Sequence, residues 1–169
     1  MIEKSFVLLF CLLWLAMGKL IFEDNFDEFD FGKWRHDVTL SGGGNWEFQI
    51  YDNNRSTTFV KDGVLNIMPV PTDDKIGAER VRNGYTYDVW GGSPADQCTG
   101  NNFNGCSRSS DGYHYINPVM SGKLTTVNSI NIRFGRIEVK AKLPKGDWLW
   151  PAIWLLPKSN EYGTWPASG

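Results

Sequence analysis

Several functional classes need features that this chain has little of. There is no excess of positive charge: 17 lysines and arginines stand against 19 aspartates and glutamates, a net charge of −2. A nucleic-acid surface wants a basic stripe, so the balance argues against that partner. Histidines number two. His36 and His114 have no partnered nucleophile, and both read as surface or loop residues. Beyond the first eighteen residues no apolar run is long enough to span a bilayer. No amphipathic helix of usable length, internal repeat or low-complexity linker is visible, so the remainder reads as one domain or part of one.

Cysteine is scarce too, at three. Its meaning depends on the N-terminus. Met1-Ile-Glu-Lys4 supplies one basic residue, Ser5 to Ala16 is apolar, and Ala16-Met17-Gly18 offers small residues before a cut after Gly18. That is the pattern of a secretory signal peptide over 1–18, with an uncleaved anchor as the alternative. The expected protein is then secreted and extracellular, with no membrane attachment after cleavage. Cys11 leaves with the peptide, and Cys98 and Cys106 remain as a pair that should bridge in an oxidising compartment. Two free thiols are the other reading. Asn54-Arg55-Ser56 is a glycosylation sequon in a polar stretch, with Asn54 as acceptor.

What is abundant is tryptophan, eight in all, and glycine, 18. Flat indoles either build a large core or stack on the C–H faces of sugar rings. Short alternating apolar runs between glycine-rich turns predict an all-β sandwich. Over 45–51, Asn45, Glu47, Gln49 and Tyr51 share one face, and Trp46, Phe48 and Ile50 the other. Residues 57–60 and 64–68 read as a hairpin about Lys61-Asp62-Gly63. Strands are expected over 130–134 and 136–143. In the second, Ile137, Val139, Ala141 and Leu143 oppose Arg136, Glu138, Lys140 and Lys142. A further strand over 148–156 would put Trp148, Trp150 and Trp154 in one row, with Pro151 marking an edge or bulge. Residues 91–106 read as a long loop pinned by the cysteine pair.

Six segments occur in order: Phe22-Glu-Asp-Asn-Phe26, Gly42-Gly-Gly-Asn-Trp-Glu47, Ser121-Gly-Lys-Leu124, Phe134-Gly-Arg-Ile-Glu138, Trp150-Pro-Ala-Ile-Trp154 and Trp165-Pro-Ala-Ser-Gly169. Together they resemble the N-terminal half of a glycoside hydrolase of family 16. The similar subgroup is the invertebrate β-1,3-glucanases (laminarinases) and β-1,3-glucan-binding proteins. The resemblance implies a concanavalin A-like β-jelly-roll, a sandwich of two antiparallel sheets with a glucan cleft, here truncated before its catalytic strand. Residues 19–169 would be a partial domain of this kind.

In that family two glutamates act from a Glu-x-Asp-x-x-Glu strand directly after Trp-Pro-Ala-Ser-Gly. Retaining hydrolysis needs the two carboxyls about 5–5.5 Å apart. Glutamates that far apart in sequence reach one face only with a bulge between them. The next position here would be 170, so no catalytic residue is assigned and the chain as given is expected to be inactive. The resemblance implies substrate contacts at Asn45, Arg136, Trp150, Trp154 and Trp165; Trp148 reads equally as a loop-edge core residue. Arg136 could instead serve only an ion pair with Glu138. No cofactor is required, though some family members carry a structural calcium, with Glu23 the ligand to consider. The expected partner is β-1,3-glucan, and the expected state a monomer. Two functions compete: a fragment of a secreted retaining endo-β-1,3-glucanase acting on laminarin-type glucans, or a non-catalytic β-1,3-glucan recognition protein of innate immunity.

Overall fold

The computed structural model describes residues 18–93, 96–163 and 165–168. Of the expected signal peptide only Gly18 falls within them. The described residues divide into two compact units, Asp24–Ile130 and the described parts of 1–23 with 131–169. The first is mostly β. Its strands are β1 (Arg35–His36), β2 (Gln49–Tyr51), β3 (Thr58–Lys61), β4 (Val64–Ile67), β5 (Val70–Pro71), β6 (Asn83–Asp88), β7 (Ser107–Asp111), β8 (Val119–Ser121) and β9 (Leu124–Thr125). Two one-turn helices, α1 (Asp73–Ile76) and α2 (Ala78–Arg82), meet at Gly77.

The strands form four small sheets, ordered β1-β9, β2-β8-β5, β3-β4 and β6-β7. All pairings are antiparallel except β2 with β8, which is parallel. The expectation of two purely antiparallel sheets therefore gives way at β2. Its neighbour is a strand some seventy residues on, a long-range pairing that local pattern does not encode.

Local chemistry explains the best-formed piece. In the β3–β4 hairpin Lys61 pairs with Val64, leaving Asp62 and Gly63 as a two-residue turn at φ 53° and 70°. Both central residues are left-handed, the geometry that matches the strands' twist and that Asp-Gly supplies. The β6–β7 pair lies where the sequence alternation is weak. Its register slips between Asn83 and Tyr85, at Gly84 with φ 69°. A bulge there breaks the period-two pattern.

The core of this unit is Leu40, Ile50, Val81, Tyr87, Ile116 and Met120. Segment 35–40 runs through its middle, with His36, Val38 and Leu40 buried at period two. His36 is only 4% exposed, which corrects its reading as a surface residue. Its ring stacks on Phe29, with centroids 5.1 Å apart. The Arg55 guanidinium lies over Phe29 and Phe31 at 4.7 and 5.5 Å. Burial and then the Arg55 charge push the His36 pKa down to about 4, with Asp37 opposing.

In the second unit residues 131–168 contain no strand among the described residues. The strands expected over 130–134, 136–143 and 148–156 are not formed. Alternation supplies a face to bury, but a strand also needs a ladder partner for its backbone groups. Ile137, Val139 and Leu143, the would-be apolar face, are all exposed. Trp148 has φ 68° and is 99% exposed, so it is neither core nor the start of a regular strand.

Candidate functional site

The glycine run before β2 sets the geometry of the most distinctive surface in the first unit. Gly42 and Gly43 take φ 61° and 62°. A Cβ at Gly42 would meet Glu47 O at 2.7 Å, so only glycine fits there. The carbonyl of Gly42 accepts from the amides of Asn45 and Glu47, both at 3.1 Å. Trp46, at the apex, is itself left-handed with φ 60°, and its indole is 68% exposed.

From this turn a polar row runs into β2. Asn45 Nδ2 donates to Glu47 Oε1 at 3.3 Å, and Gln49 Nε2 donates to Glu47 Oε2 at 2.8 Å and to the Tyr51 hydroxyl at 2.9 Å. Asn45, Glu47, Gln49 and Tyr51 thus share a face, as their spacing predicts. Burial pushes the Tyr51 hydroxyl pKa up, and the Gln49 bond opposes the shift. The opposite face differs from expectation. Ile50 is buried, but Trp46 and Phe48 are open to solvent. Both lie before β2, which begins at Gln49, so neither is held in the ladder that buries Ile50.

Beneath the turn sits Asn117, buried at the centre of a polar knot. Its Nδ2 donates to the carbonyls of Leu40, Glu47 and Gln49 at 3.2–3.4 Å. Its Oδ1 accepts from Arg108 Nη1, and its carbonyl from Thr72 Oγ1 at 2.7 Å. Arg108 also donates to Phe103 O at 2.8 Å and lies 5.8 Å over the Trp46 ring.

Phe103 belongs to the loop closed by the Cys98–Cys106 disulfide, which the structure contains. The loop is stitched to segment 38–40. Thr99 N donates to Val38 O at 2.9 Å, Leu40 N to Gly105 O at 2.7 Å, and Thr39 Oγ1 to Gly100 O at 2.6 Å. Asn101 Oδ1 accepts from Cys106 N at 3.1 Å. Phe103 has φ 54° and packs edge to face with Trp46, centroids 5.5 Å apart and planes at 61°.

Of the residues expected to contact substrate, Asn45 is exposed in this first unit. Arg136, Trp150, Trp154 and Trp165 lie in the second. Arg136 Nη2 pairs with Glu138 Oε1 at 3.1 Å in the open. The two are neighbours along one segment, not partners across two strands. Trp154 and Trp165 approach each other, centroids 6.2 Å apart and planes at 59°. Trp150 is exposed and has no such neighbour among the ring contacts described. At the sequon, Asn54 Oδ1 accepts from the amide and the hydroxyl of Ser56, both at 2.9 Å, closing a tight Asx turn. His114 is exposed beside Asp111, as expected of a loop residue.

Among the described residues no three His, Cys, Asp or Glu side chains gather where a metal could sit. No described helix is long and apolar enough to cross a membrane.

Sequence reasoning does not single out Trp46, Phe103, Arg108 or Asn117. Two signals point to the first pair. A Gly-Gly-Gly run shortly before an aromatic marks left-handed backbone. An aromatic among asparagines and glycines between two cysteines marks a side chain displayed by a clamped loop.

No family model and no solved structure matches the chain. Curated relatives do. The chain is 52% identical over 151 residues to a β-1,3-glucan-binding protein of Penaeus monodon, covering 89% of this chain and 41% of that protein. It is 35% identical over 153 residues to β-1,3-glucan-binding protein 2 of Manduca sexta, covering 88% of this chain and 30% of the relative. It is 32% identical over 165 residues to glucan endo-1,3-β-glucosidase A1 of Niallia circulans, covering 92% and 19%. The chain thus spans less than half the length of each of these relatives, and its homologues are β-1,3-glucan-binding proteins related to a glucan endo-1,3-β-glucosidase.

Proposed function

We propose that this chain serves β-1,3-glucan recognition rather than hydrolysis, within a secreted jelly-roll domain of the family 16 type. The observation that carries the reading is the 52% identity to the Penaeus monodon glucan-binding protein over 89% of the chain. The surface chemistry agrees with it. Exposed aromatics stand beside neutral amides and a short polar row, the combination that stacks on pyranose rings and hydrogen-bonds their hydroxyls. The sugar contacts proposed are Asn45, Arg136, Trp150, Trp154 and Trp165. Cleavage after Gly18, a glycan on Asn54 and a monomeric state complete the reading.

Sedimentation with insoluble β-1,3-glucan tests it. The protein should pellet with that glucan, be released by soluble laminarin, and stay in solution with cellulose. Equal retention on both polymers, or on neither, sinks the proposal. The second reading, an endo-β-1,3-glucanase, is favoured by the similarity to the Niallia circulans enzyme. Incubation with laminarin tests this second reading: new reducing ends would support the enzyme and overturn recognition without hydrolysis.

A further inference from the structure

The polar row and the tryptophans named above leave one built feature unused. Trp46 and Phe103 come from segments more than fifty residues apart, and both hold left-handed backbone. Bulky residues avoid that region unless the surroundings enforce it. Here four devices do so. Gly42 and Gly43 shape one turn, the Cys98–Cys106 bridge closes the other, Asn117 ties the carbonyls beneath, and Arg108 joins Phe103 O to Asn117. Yet the strain does not serve burial. Trp46 remains 68% exposed and Phe103 49%. A core role would have hidden them. Backbone strain that presents apolar rings to water points to a ligand face.

We propose that Trp46 and Phe103 form a two-ring platform on which one glucose residue of a neutral β-1,3-glucan stacks. Arg108, over one side of the indole, is the positioning residue that fixes the pair. Asn45 and Glu47, on the same turn, supply the hydrogen bonds to sugar hydroxyls. This deepens the glucan-recognition reading and rests on it. It also locates a subsite within the first unit.

The test titrates the full chain with a β-1,3-linked glucose hexasaccharide, following heat and tryptophan fluorescence. Trp46→Ala and Phe103→Ala should each weaken binding by about tenfold, the equivalent of about 1.4 kcal/mol for one lost ring contact. Trp46→Phe, which keeps a ring, should recover most of the loss. Both side chains are substantially exposed, so truncation opens no cavity, and an unchanged unfolding midpoint identifies a local effect. If the native chain binds and both alanine variants bind within twofold of it, the platform is overturned while glucan recognition stands. The platform is likewise overturned if Trp154→Ala abolishes binding and Trp46→Ala leaves it intact, or if the alanine variants weaken binding only as far as they lower the unfolding midpoint. If the native chain binds no glucan oligosaccharide, the functional reading fails and the platform falls with it.

Discussion

The Nη2 of Arg55 lies 3.0 Å from the Nε2 of His36. A guanidinium only donates, so this nitrogen of His36 must offer its lone pair, and the ring is neutral with its proton on Nδ1. Protonation would set two cations face to face in a buried site.

Stability should therefore depend on pH. With the folded pKa near 4 and the unfolded value at 6.5, the unfolded chain binds the extra proton first as pH falls. The His36 contribution is whole above pH 6.5, declines between 6.5 and 4, and is fully lost below. The loss is on the order of 1–2 kcal/mol, allowing for solvent screening at the exposed Arg55. Urea unfolding at about pH 7, 5.5 and 4 measures it across the window that linkage sets. His36→Phe should flatten that part of the profile, and an unchanged slope in the variant refutes the assignment.

Replacing Asn117 with alanine should cost about 2–3 kcal/mol, since carbonyls left without a partner in a buried place are more expensive than the bonds are worth in water. The change removes the shared donor of three carbonyls and the acceptor of Arg108. Chemical denaturation reads the loss, and Asn117→Asp, which keeps the acceptor but not the donor, should recover only part of it.

Gly122 and Thr58 make a paired prediction. A Cβ at Gly122 would sit 2.0 Å from Thr58 Oγ1, so Gly122→Ala should destabilise by about 1–3 kcal/mol. That hydroxyl is fully buried and has no hydrogen-bond partner among the described residues. Thr58→Val, similar in shape but without the polar atom, should therefore stabilise by about 1 kcal/mol. Thermal melts of the two variants should move in opposite directions; movement of Thr58→Val downward would show that the hydroxyl is satisfied.

Opening the bridge with Cys98→Ser and Cys106→Ser should lower stability by about 2.5 kcal/mol, from the freed loop of the unfolded chain. Reductant should have the same effect on the native protein and none on the double variant.

The parts of this fold that sequence reveals are those set by neighbours along the chain. The β3–β4 hairpin is legible because Asp62-Gly63 specifies its own turn, and the polar row from Asn45 to Tyr51 because spacing alone aligns it. The Cys98–Cys106 bridge is legible because, once Cys11 is set aside with the expected signal peptide, one pair remains to make. Long-range facts are not. The parallel pairing of Gln49–Tyr51 with Val119–Ser121 depends on chain distant in sequence. The Gly84 bulge disguises β6. At Trp148 one left-handed residue cancels an alternation that looks regular. In 131–143 the pattern is present but finds no ladder partner among the described residues, and pattern without pairing is not a strand. In the candidate site, Asn45 joins the polar row as its spacing implies. Phe103 and Arg108 escape a sequence reading because their significance lies in which distant segment they meet.

The loop between Cys98 and Cys106 is rich in glycine and asparagine, a composition that elsewhere makes a flexible tether. Here its ends are fused and its backbone is tied to Val38, Thr39 and Leu40. Phe103 therefore moves with the core rather than with solvent. A partner meeting this surface has no loop to freeze on arrival, so little of the binding free energy is lost to ordering. Preorganisation of this kind lets a small contact area hold a weakly adhesive, fully hydrated molecule.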